Sequence, residues 1–199
     1  MKATDFNLKK EIKISFKSGE ITFKNNRFLV IDTNTMGAIR YNLIEHLGKD
    51  SAKALLLKFG YINGYSDFME AKIGYEFDNE TELLSVSSIM QTWKGITKAE
   101  IKKLHFNRDK GEFYAHGIWT NSFECEQHLT YYEVSSEAAC WMLAGYSSGW
   151  YSAFFGSKVI AIETLCTAKG DDHCECEIKT PEAWNYKLAK PYIEALKEF

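Results

Sequence analysis

The segment ETLCTAKGDDHCECEI (163–178) constrains the fold most, because it places Cys166, Cys174 and Cys176 within eleven residues. The runs KVIAIETLC and HCECEIK are strand-like and predict an antiparallel pair joined by the AKGDD loop. Cys166 and Cys174 then lie on either side of a tight polar turn, which is the arrangement of a zinc knuckle. A disulfide framework is less favoured because the chain has five cysteines, an odd number.

The composition limits the classes of protein to which the chain can belong. With 199 residues, 45% of them hydrophobic, the chain is long enough to bury a core without covalent support. Its net charge of −3 and its lack of a basic block disfavour direct contact with nucleic acid. No apolar stretch is long enough for a membrane span, and the start MKATDFNLKKEIKI lacks a signal peptide's apolar run. We therefore expect a cytoplasmic protein with reduced thiols.

The hydrophobic patterns predict an α+β fold in which helices pack on antiparallel strands. Alternating residues in AEIKKLHF and GEFYAHGIWTNSF predict a hairpin around NRDKG, with Phe113, Ala115, Gly117 and Trp119 on one face. In a predicted helix over 135–155, Gly145, Gly149 and Ala153 recur every fourth position and allow another backbone to approach closely. The remaining predicted elements are two strands within 11–32, helices over 33–47, 50–68 and 83–95, and a closing helix after Pro181 with a kink at Pro191.

A metal at Cys166 and Cys174 needs two further ligands, and spacing alone leaves them open among Glu163, Cys140, Cys176 and His173. Glu163 lies three residues before Cys166, so a bend in the strand is needed to bring both side chains to one ion. A site with four protein ligands is structural, because no position is left for water or substrate. The chain lacks the HExxH and HxE…CxxC patterns of catalytic zinc, which favours a structural ion.

Three motifs carry a resemblance to a known family: W-x-x-S-x-E in GIWTNSFE, GY-x-SG-x-x-SAFFG, and E-x-x-C-x-x-x-GD-x-x-C. The chain resembles the sensor domain of phenol- and xylene-responsive, sigma-54-dependent transcription activators, whose second half is a 4-vinyl reductase-type domain. The resemblance is clear from Gln91 to Ile178 and weaker before it.

The resemblance implies a structural zinc ion in the C-terminal, 4-vinyl reductase-type subdomain. The family's ligands match Cys140, Glu163, Cys166 and Cys174 of this sequence, at matching intervals. Cys125 and Cys176 fall outside this set and are interpreted as structural or spare thiols.

The resemblance also implies a buried pocket for a small aromatic compound. Trp119 matches the family's tryptophan, which hydrogen-bonds a phenol hydroxyl together with a histidine. Gln91 stands in place of that histidine, so a hydrocarbon or an aromatic with a different polar group fits as well as phenol itself. Ala161 stands where a bulkier aromatic is common in phenol sensors. The further wall residues that the resemblance implies are Trp93, Ile101, Trp150 and Ala161.

The implied function is that of a regulatory sensor and not of an enzyme. Residues 1–70 are predicted to form a dimerisation region, 71–180 the aromatic-binding and zinc-containing domain, and 181–199 a helix leading to a linker. The downstream ATPase and DNA-binding domains of such activators are absent from this sequence, which has no GxxxxGK[ST] loop. Two alternatives are a vinyl reductase of tetrapyrrole metabolism, disfavoured because no dinucleotide-binding glycine motif occurs, and a ligand-free interaction scaffold.

Overall fold

The computed structural model describes all 199 residues as seven α-helices and two antiparallel sheets. The helices are α1 (Leu8–Glu11), α2 (Thr33–Leu47), α3 (Lys49–Gly74), α4 (Glu80–Trp93), α5 (Phe123–Tyr131), α6 (Trp141–Phe155) and α7 (Tyr186–Ala195). The strands are β1 (Ile12–Ser15), β2 (Glu20–Phe23), β3 (Asn26–Phe28), β4 (Lys98–Asn107), β5 (Glu112–Thr120), β6 (Ile160–Leu165) and β7 (Cys174–Lys179). The α+β class predicted from the sequence is confirmed.

The N-terminal sheet has three strands, where two were predicted. Its order is β1-β2-β3, and both pairs are antiparallel. The second predicted strand is split because Lys24 adopts a positive φ of 50° and the chain turns back before Asn26. Lys24 and Asn25 therefore form a hairpin turn, and Asn26 begins the returning strand.

Helix α2 begins and ends where the sequence predicts. The Asp32 side chain accepts a hydrogen bond from the backbone N–H of Thr35 at 2.8 Å, which caps the first turn. Gly48 ends the helix with a φ of 78°, a conformation that other residues rarely adopt. Helix α3 then continues to Gly74, so the predicted boundary between residues 70 and 71 falls within a helix.

Helices α3 and α6 cross at backbone contact, as the small residues of α6 predict. A Cβ atom added to Gly145 would overlap the carbonyl oxygen of Leu57, and one on Gly149 would overlap that of Tyr61. Gly60 and Gly64 of α3 meet the backbone of α6 in the same way. Glycine on both sides of the crossing lets the two helices form the centre of the core.

The second sheet has the order β4-β5-β7-β6, with every neighbouring pair antiparallel. On β5 the alternating residues Phe113, Ala115, Gly117 and Trp119 are buried, whereas the intervening positions are partly exposed. The pairing register places Gly117 opposite Cys176 and Trp119 opposite Cys174. One face of this sheet therefore supplies both a thiol of the cysteine cluster and the wall of a small cavity.

The helices of the second half differ from the prediction. The helix predicted from Ser135 begins only at Trp141. The segment before it is hydrogen-bonded to the turn after β6, where the Ser135 N–H donates to the carbonyl of Ala168 at 2.8 Å. Helix α5 was not predicted at all. At the C-terminus, Pro181–Ala183 forms a single 3-10 turn and α7 follows it, with Pro191 inside the helix as expected.

No helix combines the length and the apolar character needed to cross a bilayer.

Candidate functional site

Five potential metal ligands converge at the end of the second sheet. The ligand atoms of this cysteine–glutamate cluster all lie within 4.8 Å of one another, and every member is buried. The members are Cys125, Cys140, Glu163, Cys166 and Cys174. All five cysteines of the chain are free thiols.

The cluster draws on four parts of the chain. Cys125 lies in the first turn of α5, Cys140 immediately precedes α6, Glu163 and Cys166 lie in and after β6, and Cys174 begins β7. The pairing of β6 with β7 is irregular between Glu163 and Leu165. That irregularity is the strand bend that Glu163 and Cys166 need in order to face the same point.

Hydrogen bonds hold several donors of the cluster in place. The backbone N–H of Ala139 donates to Cys166 Sγ at 3.3 Å, and that of Thr167 donates to Cys174 Sγ at 3.4 Å. Glu163 Oε2 accepts from the backbone N–H of Cys140 at 2.9 Å, whereas its Oε1 is buried without a hydrogen-bond partner. Donors of this kind stabilise thiolates, and an unpartnered buried carboxylate oxygen is costly unless a cation or proton meets it.

The donor set fits a zinc ion. Burial raises the pKa of the Cys140 thiol and of the Glu163 carboxyl, because charged forms lose their hydration there. A divalent cation reverses that effect by binding thiolates directly. Soft sulfur ligands with a carboxylate fit zinc, and an ion with all four positions filled by side chains would supply cross-linking and no catalysis.

The structure brings together all four metal ligands implied by the resemblance, and it adds Cys125. Cys125 was missed because α5 was not predicted; Ser122 followed by Glu124 and Glu126 is a helix-start signal that indicates this helix. The other two residues considered for the site lie apart from the cluster. Cys176 lines the cavity described below, and His173 Nε2 lies 2.8 Å from Glu175 Oε1.

Glu124 explains the acidic position of the W-x-x-S-x-E motif. Its carboxylate accepts hydrogen bonds from the backbone N–H groups of Met142 and Leu143 and pairs with Arg40 at 3.2 Å, all in the interior. The Arg40 guanidinium also lies 3.8 Å from the ring centroid of Trp141. Burial raises the pKa of Glu124 to about 7, although Arg40 and both N–H groups oppose the rise. Glu124 thus fixes α5 against the start of α6, with Cys125 beside it.

A second candidate site is a small cavity between the sheet and helices α4 and α6. Its volume is about 20 Å³, and Gln91, Ile101 and Trp119 line it together. Sequence reasoning missed Ser147 and Tyr151, which lie four residues apart on one face of α6 and close the cavity from that side. It also missed Cys176, whose position opposite Gly117 follows from the strand register.

Gln91 provides the cavity with an unused hydrogen-bond acceptor. Its Nε2 donates to the hydroxyl of Ser87 at 3.3 Å, whereas its Oε1 is buried without a partner. Both Gln91 and Trp119 are 2% exposed. A polar acceptor and an indole therefore belong to the lining of one small cavity, which is the usual composition of a small-molecule site.

Three of the implied wall residues lie outside this cavity. Trp93 ends α4 with 43% of its surface exposed and lines an open groove near the N-terminal sheet. Trp150 is fully buried in α6, where its ring packs edge-on against Phe68 at 5.5 Å between centroids. Ala161 lies on β6, and its N–H donates to the Ser148 hydroxyl at 2.9 Å.

Two family models match the chain in succession. The model described as an activator of aromatic catabolism matches residues 7–107, and the model of the 4-vinyl reductase domain matches residues 118–180. Among curated proteins, the phenol regulator MopR of Acinetobacter guillouiae is 35% identical over 175 residues, 87% of this chain. The transcriptional regulatory protein XylR of Pseudomonas putida is 30% identical over 177 residues, 89% of this chain. In both cases the match spans 31% of the relative, so the chain covers about a third of their length.

A solved structure agrees with these matches. The phenol-responsive sensory domain of the transcription activator PoxR, determined with phenol, superposes with a TM-score of 0.88 at 25% identity. The match covers 96% of this chain and 94% of that domain. These relatives are regulators of transcription or the sensory domain of one. The chain belongs to the family of activators of aromatic catabolism, within which it is a sensory domain that ends in a 4-vinyl reductase-type domain.

Proposed function

We propose that the chain binds a small aromatic compound in the cavity lined by Gln91 and Trp119 and thereby controls a sigma-54-dependent transcription activator. The observation that carries the proposal is the buried, unpartnered Oε1 of Gln91, a residue that lines the same small cavity as Trp119. These two residues come from different elements, α4 and β5, and their convergence agrees with the resemblance of the chain to phenol regulators.

The two polar groups indicate which aromatics suit the cavity. The amide oxygen of Gln91 can accept a hydrogen bond from a hydroxyl or amine on the ring, and the Trp119 indole can donate one. Gln91 stays neutral at all physiological pH values, so the site does not favour an anionic ligand. We therefore assign it to uncharged aromatics, with one polar substituent or none.

Ligand binding requires the cavity to expand. A space of about 20 Å³ accommodates roughly one water molecule, whereas a cavity that holds benzene measures about 150 Å³. An aromatic ligand consequently binds more tightly to a conformation in which α4, α6 and the sheet lie further apart. Because the ligand prefers the conformation with the expanded cavity, it shifts the equilibrium from the compact to the expanded conformation. This shift is the signal to a downstream ATPase.

The cysteine–glutamate cluster holds a structural zinc ion in this proposal. Cys140, Cys166 and Cys174 supply thiolates, and the carboxylate implied by the resemblance is that of Glu163. The ion would tie the start of α6 to the β6–β7 hairpin, so that the sheet stays ordered when the cavity expands. It takes no part in a reaction.

Residues 1–70 form the dimerisation region in this proposal, and 181–199 lead to a linker. The N-terminal sheet and the segment after it expose several large apolar side chains, which is unusual for a monomer surface. Phe16 is 95% exposed, Val30 84% and Leu29 76%. A second copy of the chain that packs on this surface would remove them from water.

Calorimetric titration of the purified chain tests the proposal. Phenol, toluene, aniline and benzoate form the panel, and each is added to the wild-type chain and to Trp119→Ala. We expect the neutral aromatics to bind wild type and benzoate not to bind, with binding lost in the variant. Failure of every neutral aromatic to bind a folded wild-type chain would overturn the proposal.

A further inference from the structure

We propose that Cys125 is a metal ligand, so that four thiolates hold the ion and Glu163 supports the site from outside the coordination sphere. This inference deepens the proposed zinc site and rests on it. It departs from the ligand set that the resemblance implies, in which Cys125 has no role.

The sulfur of Cys125 contacts the sulfurs of the three other cysteines in the cluster. Its Sγ lies 3.2 Å from that of Cys140 and 3.5 Å from those of Cys166 and Cys174. The Sγ atoms of Cys140 and Cys174 are 3.9 Å apart. In a tetrahedral zinc site with Zn–S bonds of about 2.3 Å, neighbouring sulfurs are separated by about 3.8 Å. The two remaining pairs, Cys140–Cys166 and Cys166–Cys174, lie within 4.8 Å, so shifts of up to about 1 Å convert this group into a four-sulfur site.

A structural zinc ion takes four ligands, so Cys125 and Glu163 compete for the last position. One oxygen of Glu163 already accepts the backbone N–H of Cys140, and in this proposal the nearby charge of the ion offsets the burial of the other oxygen, which has no hydrogen-bond partner. This bond orients the residue that carries a thiolate, which is the typical task of a carboxylate beyond the ligands. Zinc and cobalt sites of this closed type prefer the softer thiolate, which favours Cys125 for the ion itself.

Cys125 is held rigidly enough to serve as a ligand. It follows Glu124, whose carboxylate is fixed by Arg40 and by two N–H groups of α6. Cys125 is 3% exposed and lies in the first turn of the nine-residue helix α5, where the helix dipole stabilises a thiolate. The hydroxyl of Ser122, which precedes α5, lies 3.1 Å from Cys140 Sγ and can donate to that sulfur. The ion would thus cross-link α5 as well as α6 and the hairpin.

Substitution of zinc by Co²⁺ tests the inference, because the near-ultraviolet absorption of bound cobalt grows with the number of thiolates. The variants are Cys125→Ser, Glu163→Gln and, as a matched control, Cys176→Ser, which removes a buried thiol outside the cluster. Competition with a chelator under reducing conditions measures the Co²⁺ affinity of each variant.

We expect Cys125→Ser to lose about a quarter of the thiolate-to-cobalt absorption, since one of four sulfurs is removed. Its Co²⁺ affinity should fall more than about 100-fold, because loss of a ligand costs more than loss of a carboxylate that only supports a ligand. Glu163→Gln should keep the absorption, and Cys176→Ser should match wild type. The inference would be overturned if the cobalt spectrum of Cys125→Ser matched that of wild type. It would also be overturned if Glu163→Gln changed the cobalt spectrum and Cys125→Ser did not. A wild-type chain that binds no metal would instead refute the zinc site as a whole.

Discussion

Gly64 of α3 lies directly against the carbonyl group of Tyr146 in α6, with no room between them for a Cβ atom. The same relationship recurs at Gly60, Gly145 and Gly149, so two helical backbones touch along four positions. Tyr146 is in turn tied to α3, because its hydroxyl donates to Asp67 at 2.8 Å. This crossing supports one wall of the cavity, since α6 also carries Ser147 and Tyr151.

Gly64→Ala should therefore lower the free energy of unfolding by about 3 kcal/mol, because the methyl group meets backbone that cannot move aside. Gly74→Ala is the matched control in the same helix, where an added Cβ meets only the flexible side chain of Lys24. The control should be neutral or gain up to about 1 kcal/mol from helix propensity. Urea unfolding measures both, and equal stabilities would contradict the packing described for α3 and α6.

Gln91→Leu should weaken phenol binding about tenfold, which corresponds to the loss of one hydrogen bond of about 1.4 kcal/mol. Toluene makes no such bond, and its affinity should stay the same or rise. Gln127→Leu is the control, because Gln127 is another buried glutamine with an unpartnered Oε1, outside the cavity. Calorimetry with both ligands decides the matter: a parallel loss of phenol and toluene affinity would show that Gln91 is not the polar anchor.

Removal of the metal should destabilise the chain. With free zinc at about 1,000 times its dissociation constant, binding contributes about 4 kcal/mol to the folded state. Dialysis against a chelator should accordingly lower the Tm by roughly 10 °C, and Cys166→Ser should show the same decrease without a chelator. Circular dichroism and elemental analysis of the same samples provide the measurement. A metal-free chain that melts at the temperature of the zinc-loaded chain would exclude a structural role.

Asp67 should give the stability of the chain a specific pH dependence. Burial raises its pKa above the ordinary value of 3.8, although Lys94 and the Tyr146 hydroxyl oppose the rise. A carboxyl whose pKa is raised by folding contributes stability below its unfolded pKa and loses that contribution as the pH rises through its folded pKa. Asp67→Asn removes the titration, so its free energy of unfolding relative to wild type should increase as the pH rises from about 4.

The control for this pH dependence is Asp32→Asn, at the cap of α2. The hydrogen bonds from Thr35 lower the pKa of Asp32, so its contribution is present above the unfolded pKa and is lost as the pH falls. The two variants should consequently differ from wild type with opposite slopes in a series of urea titrations. Equal slopes would contradict the assigned direction for Asp67.

Leu29→Glu should shift the chain from dimer to monomer, because it places a charge on the exposed apolar surface of the N-terminal region. Leu188→Glu makes the same change at a leucine of α7 that is 51% exposed, and it should leave the mass unchanged. Light scattering over a range of concentrations measures the mass of each chain. A wild-type chain that stays monomeric at high concentration would remove the basis for this dimer.

Several elements could be predicted from the sequence because their causes are local. The cap of α2 depends on Asp32 and Gly48, and the buried face of β5 depends on alternation within nine residues. The close crossing of α3 and α6 also left a local trace in the spacing of Gly145 and Gly149. In each case the side chains and backbone preferences of one segment decide the outcome.

The α+β class, the hairpin between Cys166 and Cys174 and the family to which the motifs belong could all be predicted from the residues of single segments. Tertiary packing brings Cys125 into the cluster, and a bend in β6 turns Glu163 toward it. Packing also places Gln91 and Trp119 around one cavity, with Trp93 outside it. These relationships join residues on separate elements, and they arise from packing and strand register, which no single segment encodes.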